Sequence, residues 1–338
     1  AVAQVWDAQQ FAAIASPDPK TGRPDLATAV TPADLALLSR AVLARCDALD
    51  GLADGIVSDL SACQKAFDIG RDVPTCPGSN APGGACLSGP QKATLAKVFD
   101  GPRDAAGAPV YSGLPWDAGI QGRDWATWKL VNSVGPRDAI ALSFVFTTPP
   151  ASPGVVTGQG TSLIDYALQF SLARDLPKLA ATNATYTESP MRVMTPPDPL
   201  MRDFVAQGGK LLVFHGSADP VFSALDTLRW QEDFRAAHGS AADRHARVFL
   251  VPGMNHSRGG PATDQMDMVD ALVKWVELGQ APEAVVAQAR GPGSAVPNPE
   301  VPADWSPTRT RLLCPHPQVA RYQGGNPEMA GSFACTAR

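Results

Sequence analysis

Two polar residues, Asp219 and His256, each follow a short apolar run that has the character of a buried strand. The apolar runs are 210–214 and 248–251; each ends in a turn that contains glycine, and a helix-like pattern follows. An acid and then a histidine on successive strand-end loops is one order in which a Ser-Asp-His triad is built. The alternative is that Asp219 makes an Asx-turn and His256 caps the next helix.

The elements around this pair alternate between helix and strand. Such alternation predicts a parallel sheet covered on both faces, and hence an α/β fold. We place a domain boundary near residue 195, with an irregular, mainly helical domain at 1–195 and the α/β part at 196–338. The predicted order is helix 200–207, strand 210–214, helix 224–238, strand 247–251 and helix 264–278, followed by an irregular tail after residue 282.

Helical patterns also occur in the first domain. An amphipathic pattern predicts a helix over 2–14, and Thr31 with Pro32 predicts the start of a helix that runs to residue 46. A further helix is expected from Ser88 to residue 99, and another over 163–179.

Composition excludes several classes of function. The chain has 338 residues, is 44% hydrophobic and 18% charged, and has a net charge of −5. The sequence has no cluster of Lys and Arg residues of the kind that binds nucleic acid. No apolar run reaches the ~18 residues that a membrane span needs. We therefore expect a globular protein without a nucleic-acid or membrane partner.

Six cysteines fall in three close pairs. Six cysteines allow 15 connectivities, so pairing by proximity is a prediction from spacing. Zinc is disfavoured because no pair has C-x-x-C spacing. Disulfides indicate an oxidising compartment, so we expect a secreted or periplasmic protein. The predicted pairs are Cys46 with Cys63, Cys76 with Cys86, and Cys314 with Cys335.

An acidic loop follows the first cysteine. Asp47, Asp50 and Asp54 fall within eight residues, and two glycines allow the chain to turn tightly. Three carboxylates at this spacing repel one another unless a cation neutralises them. Calcium suits such a loop because it accepts carboxylate and carbonyl oxygens, and Leu52 and Ile56 are placed to offer carbonyls. The alternative is a solvated acidic turn, and the spacing is not that of an EF-hand.

The nucleophile of a triad is missing from the sequence. A hydrolase of this type presents its serine on a G-x-S-x-G elbow, and none is present. Ser217 is too close to Asp219 in sequence, Ser162 lacks the second glycine, and Ser223 and Ser257 lie in no elbow. Two strand–helix units are also far fewer than the roughly eight strands of such a sheet. We therefore expect the C-terminal part of a larger fold.

Four blocks of sequence together resemble the tannase / feruloyl esterase family, which includes the MHET hydrolases. The blocks are CDALDGLADGI at 46–56, HGSADPVFSALDT at 215–227, VPGMNHSRGGPATDQMD at 251–267, and LCPHPQVARYQG with FAC between 313 and 335. The resemblance implies the C-terminal part of an α/β-hydrolase fold with a large helical lid.

The resemblance also implies roles for individual residues. Asp219 becomes the triad acid and His256 the general base, while Phe222 and Trp128 become candidate substrate-binding residues. Asp47, Asp50, Asp54 and the carbonyls of Leu52 and Ile56 become a structural calcium site, and the cysteine pairing is supported. Two departures stand out: Ser257 replaces the cysteine that usually follows the histidine, and Trp128 and Arg137 lie where the family varies.

The implied activity is hydrolysis of esters of aromatic acids of the hydroxybenzoic, hydroxycinnamic or terephthalic type. The nucleophilic serine would come from a segment or chain of the same precursor, N-terminal to this one. The alternative is a catalytically inactive, calcium-stabilised secreted protein that binds aromatic ligands.

Overall fold

The structure is a computed structural model that describes residues 1–77, 83–135, 137–151, 154 and 162–337. Two parallel strands carry the predicted pair: β1, Leu211–Gly216, and β2, Ala246–Val251, with Leu211 opposite Ala246. The Ala224–His238 helix connects them. The predicted strand–helix–strand unit is confirmed, because both apolar runs are long enough to form strands and the segment between them is long enough for a crossover.

The tail after residue 282 was wrongly predicted to be irregular. Strands β3 (Gln265–Met266), β4 (Val285–Gln288) and β5 (Thr310–Leu313) form an antiparallel sheet. Strands β6 (Val319–Tyr322) and β7 (Phe333–Thr336) form an antiparallel pair. These strands have four residues or fewer, too short for alternation to stand out in the sequence.

The first half of the chain is mainly helical. Its longest helices are Val2–Ala12, Pro32–Cys46 and Gly89–Asp100. Thr31 and Ser88 each close a capping box at a helix start, so the predicted starts are confirmed. Shorter helices in this half are Leu60–Ala66, Ile69–Asp72, Arg123–Thr127, Asp138–Ile140 and Pro190–Met194.

Several predicted helices differ in extent. The helix expected over 163–179 consists of Leu163–Gln169, Leu172–Asp175 and a 3₁₀ turn, Leu176–Leu179. Its breaks follow from Ser171, which caps a new helix, and from Pro177, which has no N–H to donate. The last predicted helix begins later, at Met268–Leu278, and the one before β1 is Arg202–Ala206.

Aromatic side chains fill the centre of the helical half. Trp116 stacks on Phe99 with ring centroids 3.7 Å apart, and Trp125 packs edge-on against Phe11 at 6.5 Å. Trp125 is almost fully buried. The aromatic segment 111–128 is therefore largely core, and it leaves Trp128 at its end free for another role.

Polar contacts join the helical half to the C-terminal part. Buried Arg311 on β5 pairs with buried Asp54, and Arg309 donates to the Asp54 carbonyl at 2.7 Å. Arg321 on β6 bonds both the Leu49 carbonyl and the Asp59 carboxylate at 2.8 Å. The boundary near residue 195, which stays a prediction, is thus crossed by many contacts.

The three predicted disulfides are present: Cys46–Cys63, Cys76–Cys86 and Cys314–Cys335. The first closes the acidic loop, and the third joins the β6–β7 pair to the end of β5. Within the described ranges, no helix has the length and apolar character that crossing a bilayer would require.

Candidate active site

The predicted acid and base meet at the ends of β1 and β2. Asp219 Oδ2 lies 2.9 Å from His256 Nδ1. Asp219 Oδ1 accepts the backbone N–H groups of Val221 and Phe222 at 2.7 and 3.1 Å. The Asp219 side chain is 4% exposed, whereas that of His256 is 26% exposed. The two side chains therefore form a buried acid and a solvent-facing imidazole.

Hydrogen bonds keep Asp219 ionised. Burial alone would raise the pKa of its carboxyl, but hydrogen bonds from His215, from His256 and from two backbone N–H groups outweigh it, so the pKa lies below its usual value. An ionised Asp219 stabilises positive charge on the histidine bonded to it.

A second histidine, His215, also reaches the acid. Its Nε2 lies 3.4 Å from Asp219 Oδ2 and 3.1 Å from the Phe222 carbonyl, and its Nδ1 lies 2.8 Å from Thr227 Oγ1. Both of its nitrogens are therefore engaged. Within the described part of the chain, His256 Nε2 makes no hydrogen bond, so His256 is the imidazole able to accept a proton from a third group.

The helical half holds both loops of the pair through Asp117. Its Oδ2 accepts from Ser217 Oγ at 2.7 Å, on the acid's loop, and from the Gly253 N–H at 3.3 Å, on the histidine's loop. Asn255, beside His256, donates to the carbonyls of Gly119 and Ala218 at 3.0 and 3.2 Å. Segment 117–119 thus fixes the spacing between the two loops.

Glycines permit this close approach. A Cβ added at Gly119 would lie 2.3 Å from the Gly253 carbonyl oxygen and 2.4 Å from the Ala218 Cβ. A Cβ at Gly216 would lie 2.3 Å from the Met254 carbonyl oxygen. Real Cβ atoms do not approach other atoms so closely, hence these backbones touch because they carry no side chain.

Two aromatic rings flank the imidazole. The Trp128 ring meets His256 edge-on at 5.4 Å, and the Phe222 ring lies 5.6 Å away, tilted by 52°. The Phe222 side chain is half exposed, which leaves a face free for a ligand. The Arg137 guanidinium lies over Trp128, 4.1 Å from its ring centre. All four predicted triad and substrate residues are therefore brought together.

None of the four serines weighed in the sequence is placed as a nucleophile. Ser217 is buried and donates to Asp117 and to the Val251 carbonyl. Ser162 bonds Asp165 at a helix start, and Ser223 donates to the Gly113 carbonyl. Ser257 follows His256 with a φ of 66° and makes no hydrogen bond to that imidazole within the described residues.

The acidic loop directs its carboxylates to several partners. Asp47 accepts the N–H groups of Asp54, Gly55 and Ile56, at 2.9, 2.9 and 3.3 Å. Asp54 is bonded to Arg311. Across the residues described, no three His, Cys, Asp or Glu side chains are grouped as ligands of one metal ion.

One carboxylate oxygen of the loop lacks a partner. Asp50 Oδ1 accepts the Leu52 N–H at 3.2 Å, whereas its buried Oδ2 accepts no hydrogen bond of ordinary geometry. Burial raises the pKa of Asp50 to about 6, although the nearby Ser58 hydroxyl and the Leu52 N–H oppose this. A cation beside Oδ2 would satisfy that oxygen, so the donor chemistry fits calcium at this point of the loop.

Sequence reasoning missed the residues that support the pair. His215 and Thr227 lie in the same block as Asp219, where a histidine at the end of a strand could have been considered. Asp117 lies in no motif, and Asn255 lies in the same block as His256, but the role of both depends on contacts between segments more than 130 residues apart.

The fold and the buried acid–imidazole pair define an α/β-hydrolase-type protein with a helical lid. The family model described as tannase and feruloyl esterase matches residues 1–336. The chain belongs to this family.

Named relatives agree with that assignment. The chain is 36% identical to a mono(2-hydroxyethyl) terephthalate hydrolase of Piscinibacter sakaiensis, in a match that covers 99% of this chain and 57% of the relative. It is 29% identical to a probable feruloyl esterase of Arthroderma benhamiae, over 88% of this chain and 51% of the relative.

Solved structures show the same fold. Feruloyl esterase B from Aspergillus oryzae matches with a TM-score of 0.67 at 21% identity, covering 99% of this chain and 61% of that one. Tannin acyl hydrolase from Aspergillus niger matches with a TM-score of 0.59 at 18% identity, covering 58% of its own length. The chain thus spans a little over half the length of the relatives it matches.

Proposed function

We propose that this chain supplies the acid and the base of a serine-type carboxylic ester hydrolase that acts on esters of aromatic acids. The single observation that carries the proposal is the 2.9 Å contact between Asp219 and His256, whose Nε2 has no partner among the described residues and can accept a proton. His256 takes the proton from a serine hydroxyl as that serine attacks the ester carbonyl. Asp219 holds the imidazole tautomer and stabilises the imidazolium, a role worth ~10⁴ in turnover in such triads.

Aromatic ester substrates fit the surroundings of His256. Phe222 and Trp128 offer ring faces or edges on two sides of the imidazole, and offset or edge-on contacts between rings contribute about 0.5–1.5 kcal/mol beyond burial. Beside Phe222 lies an apolar groove of about 410 Å³, lined in part by Tyr111, Phe146 and Leu179. The names of the relatives, which specify terephthalate and feruloyl esters, support the same substrate class.

Hydrolysis assays with His256 variants test this proposal. The active protein should hydrolyse methyl gallate, methyl ferulate or mono(2-hydroxyethyl) terephthalate, and His256→Ala should abolish turnover. His245→Ala, a histidine bonded to the Gly209 carbonyl in another loop, is the matched control and should keep it. Equal turnover in the His256→Ala protein would refute the assignment.

We further propose that the serine comes from another segment of the same precursor, which docks beside His256. An exposed apolar face supports this: Phe214 on β1 is 44% exposed and Val269 on the last helix is 74% exposed. Both line a hollow of about 570 Å³ that reaches Ser257, next to the imidazole. Among described residues β1 pairs with β2 alone, so its other edge offers N–H and C=O groups to a further strand.

Association measurements test the docking face. Val269→Asp with Val273→Asp should weaken binding of the serine-bearing segment, because both side chains lie on the exposed face of the Met268–Leu278 helix. Val296→Asp, at a valine elsewhere that is 60% exposed, should leave binding unchanged. Intact-mass measurement of the natural protein shows which segment accompanies this chain. If the Val269/Val273 double variant and Val296→Asp bound that segment equally well, the proposed docking face would be contradicted.

We propose calcium as a structural ion in the acidic loop, with Asp50 Oδ2 as its anchor and Asp47, Asp54 and the carbonyls of Leu52 and Ile56 as further ligands. An ion present at 1,000 times its Kd stabilises the folded state by about 4 kcal/mol. Chelation with EDTA should therefore lower Tm, calcium should restore it, and Asp50→Asn should remove most of the response. A Tm indifferent to EDTA would rule out a structural ion.

The three disulfides support export to an oxidising compartment. We propose a secreted or periplasmic location on that basis. Fractionation of the natural host, with thiol labelling of the recovered protein, tests it: the protein should appear outside the cytoplasm with its six cysteines unreactive.

A further inference from the structure

His215 is a largely buried titratable group that the triad chemistry does not use. Its side chain is 14% exposed and lies between the acid and the carbonyl of Phe222. A catalytic acid needs one imidazole partner, and His256 already fills that role. Asp219 thus has a second imidazole, His215, within ion-pair distance.

The hydrogen-bond partners fix the protonation of His215. Asp219 Oδ2 and the Phe222 carbonyl oxygen are both acceptors, so Nε2 must carry a proton to serve them. In the neutral ring Nδ1 is then an acceptor, and the Thr227 hydroxyl donates to it at 2.8 Å. Thr227 lies in the first turn of the Ala224–His238 helix, which anchors the ring to a rigid element.

We propose that His215 is a positioning residue. It fixes the orientation of the triad acid, Asp219, and the position of the aromatic residue of the substrate site, Phe222. Its Nε2–H donates to the Phe222 carbonyl at 3.1 Å and lies within ion-pair distance of Asp219 Oδ2, at 3.4 Å. The turn between these residues carries the carboxylate at one end and the Phe222 ring, 5.6 Å from His256, at the other. Orientation of the acid and placement of the ring are therefore coupled through one imidazole. The inference rests on the proposed hydrolase function, and one of its readouts does not depend on activity.

The activity-independent readout is the downfield proton resonance of His256 Nδ1–H, assigned by its loss in His256→Gln. In His215→Phe, which keeps a ring but removes the N–H, this resonance should broaden or disappear because Asp219 is no longer held. His238→Phe is the matched control: that histidine bonds the Leu200 carbonyl outside the site, so the resonance should persist. His215→Gln, whose amide can donate in place of Nε2, should restore part of it.

The kinetic readout separates the two effects. His215→Phe should lower kcat by up to about 100-fold for all esters, since a displaced catalytic group costs that order of rate. It should also raise KM for an aromatic ester but not for an acetyl ester, because only the aromatic ester uses the Phe222 ring. If His215 had a purely structural role, His215→Phe would lower Tm and the folded fraction. KM would then change equally for the aromatic ester and the acetyl ester.

The outcomes distinguish the two proposals. A folded His215→Phe protein with an unchanged resonance, kcat and KM overturns the positioning role. If His215→Phe does not fold, Thr227→Val, which removes the donor to Nδ1, is judged by the same criteria. A resonance that responds to His215→Phe in a protein without esterase activity would overturn the proposed function and leave the positioning role standing.

Discussion

At the scale of single residues, the site depends on which imidazole nitrogens are free. Asp219 contacts two histidines, and the sequence alone singled out His256 because it follows a strand in triad order. The structure gives the physical distinction: both nitrogens of His215 have partners, while His256 Nε2 makes no hydrogen bond to any described residue. Residue types and spacing could predict the acid and the base, but not the second histidine, since its role depends on the path of the Asp219 turn.

Replacing Asp219 with Asn should lower turnover and should also remove a contribution to folding stability that depends on pH. An amide would donate to His256 where the carboxylate accepts, so turnover should fall by ~10⁴. The pKa of Asp219 is lowered in the folded chain, so its stabilising contribution is present above the unfolded pKa of about 4 and is lost as pH falls through the folded value.

Thermal melts as a function of pH check the stability part. The Tm difference between the native protein and Asp219→Asn should be constant above pH ~5 and should shrink below pH ~4. Asp270→Asn, which removes a half-exposed ion pair with Lys274, should alter Tm little at any pH. A difference between native and Asp219→Asn that grows at acid pH would contradict the assigned direction.

At the scale of elements, local sequence signals predict a helix start correctly where all parts of the capping motif are present. Thr31 and Ser88 each combine a cap, a proline and an acceptor three residues on, and both helices start there. The helix expected over 163–179 breaks where Ser171 offers a new cap, and the short strands after residue 282 are held by partners distant in sequence. Pairing between distant segments decides such strands, and no local pattern records it.

The close contact at Gly119 predicts a sharp response to one methyl group. Gly119→Ala would place Cβ 2.3 Å from the Gly253 carbonyl oxygen, so segment 117–119 must move away from the histidine's loop. We expect a loss of about 1–3 kcal/mol in the free energy of unfolding, from overpacking, together with reduced turnover.

Urea denaturation measures the change. Gly331→Ala adds the same methyl where no atom lies within 4 Å and should be neutral. If Gly119→Ala were as stable as Gly331→Ala, the backbone contact would not be as tight as described.

At the scale of the whole molecule, arginines of the C-terminal strands and of the residue before β5 bind the acidic loop through hydrogen bonds and ion pairs. Arg309, Arg311 and Arg321 all bond residues between 49 and 59, and the Cys46–Cys63 disulfide closes the same segment. The four matching blocks in the sequence indicated the fold and the cysteine pairs, but not this contact. It joins residues more than 250 positions apart, which sequence spacing cannot relate.

Removing individual disulfides tests the importance of that junction. Replacing both Cys46 and Cys63 with Ala should cost about 2–4 kcal/mol of unfolding free energy. The Cys76–Cys86 bridge spans 10 residues instead of 17, so its removal should cost less. Denaturation curves of the two double variants give the comparison, and a larger loss for the shorter bridge would be contrary to expectation.

The contacts of Asp117 and Gly119 with both loops limit how the helical half can move relative to the Asp219–His256 pair. Because Ser217 bonds Asp117 and Asn255 bonds Gly119, the helical half cannot move away as a rigid unit without breaking contacts to the loops that carry Asp219 and His256. We therefore expect access to His256 to depend on the two rings beside it, Phe222 and Trp128, and not on a displaced helical half.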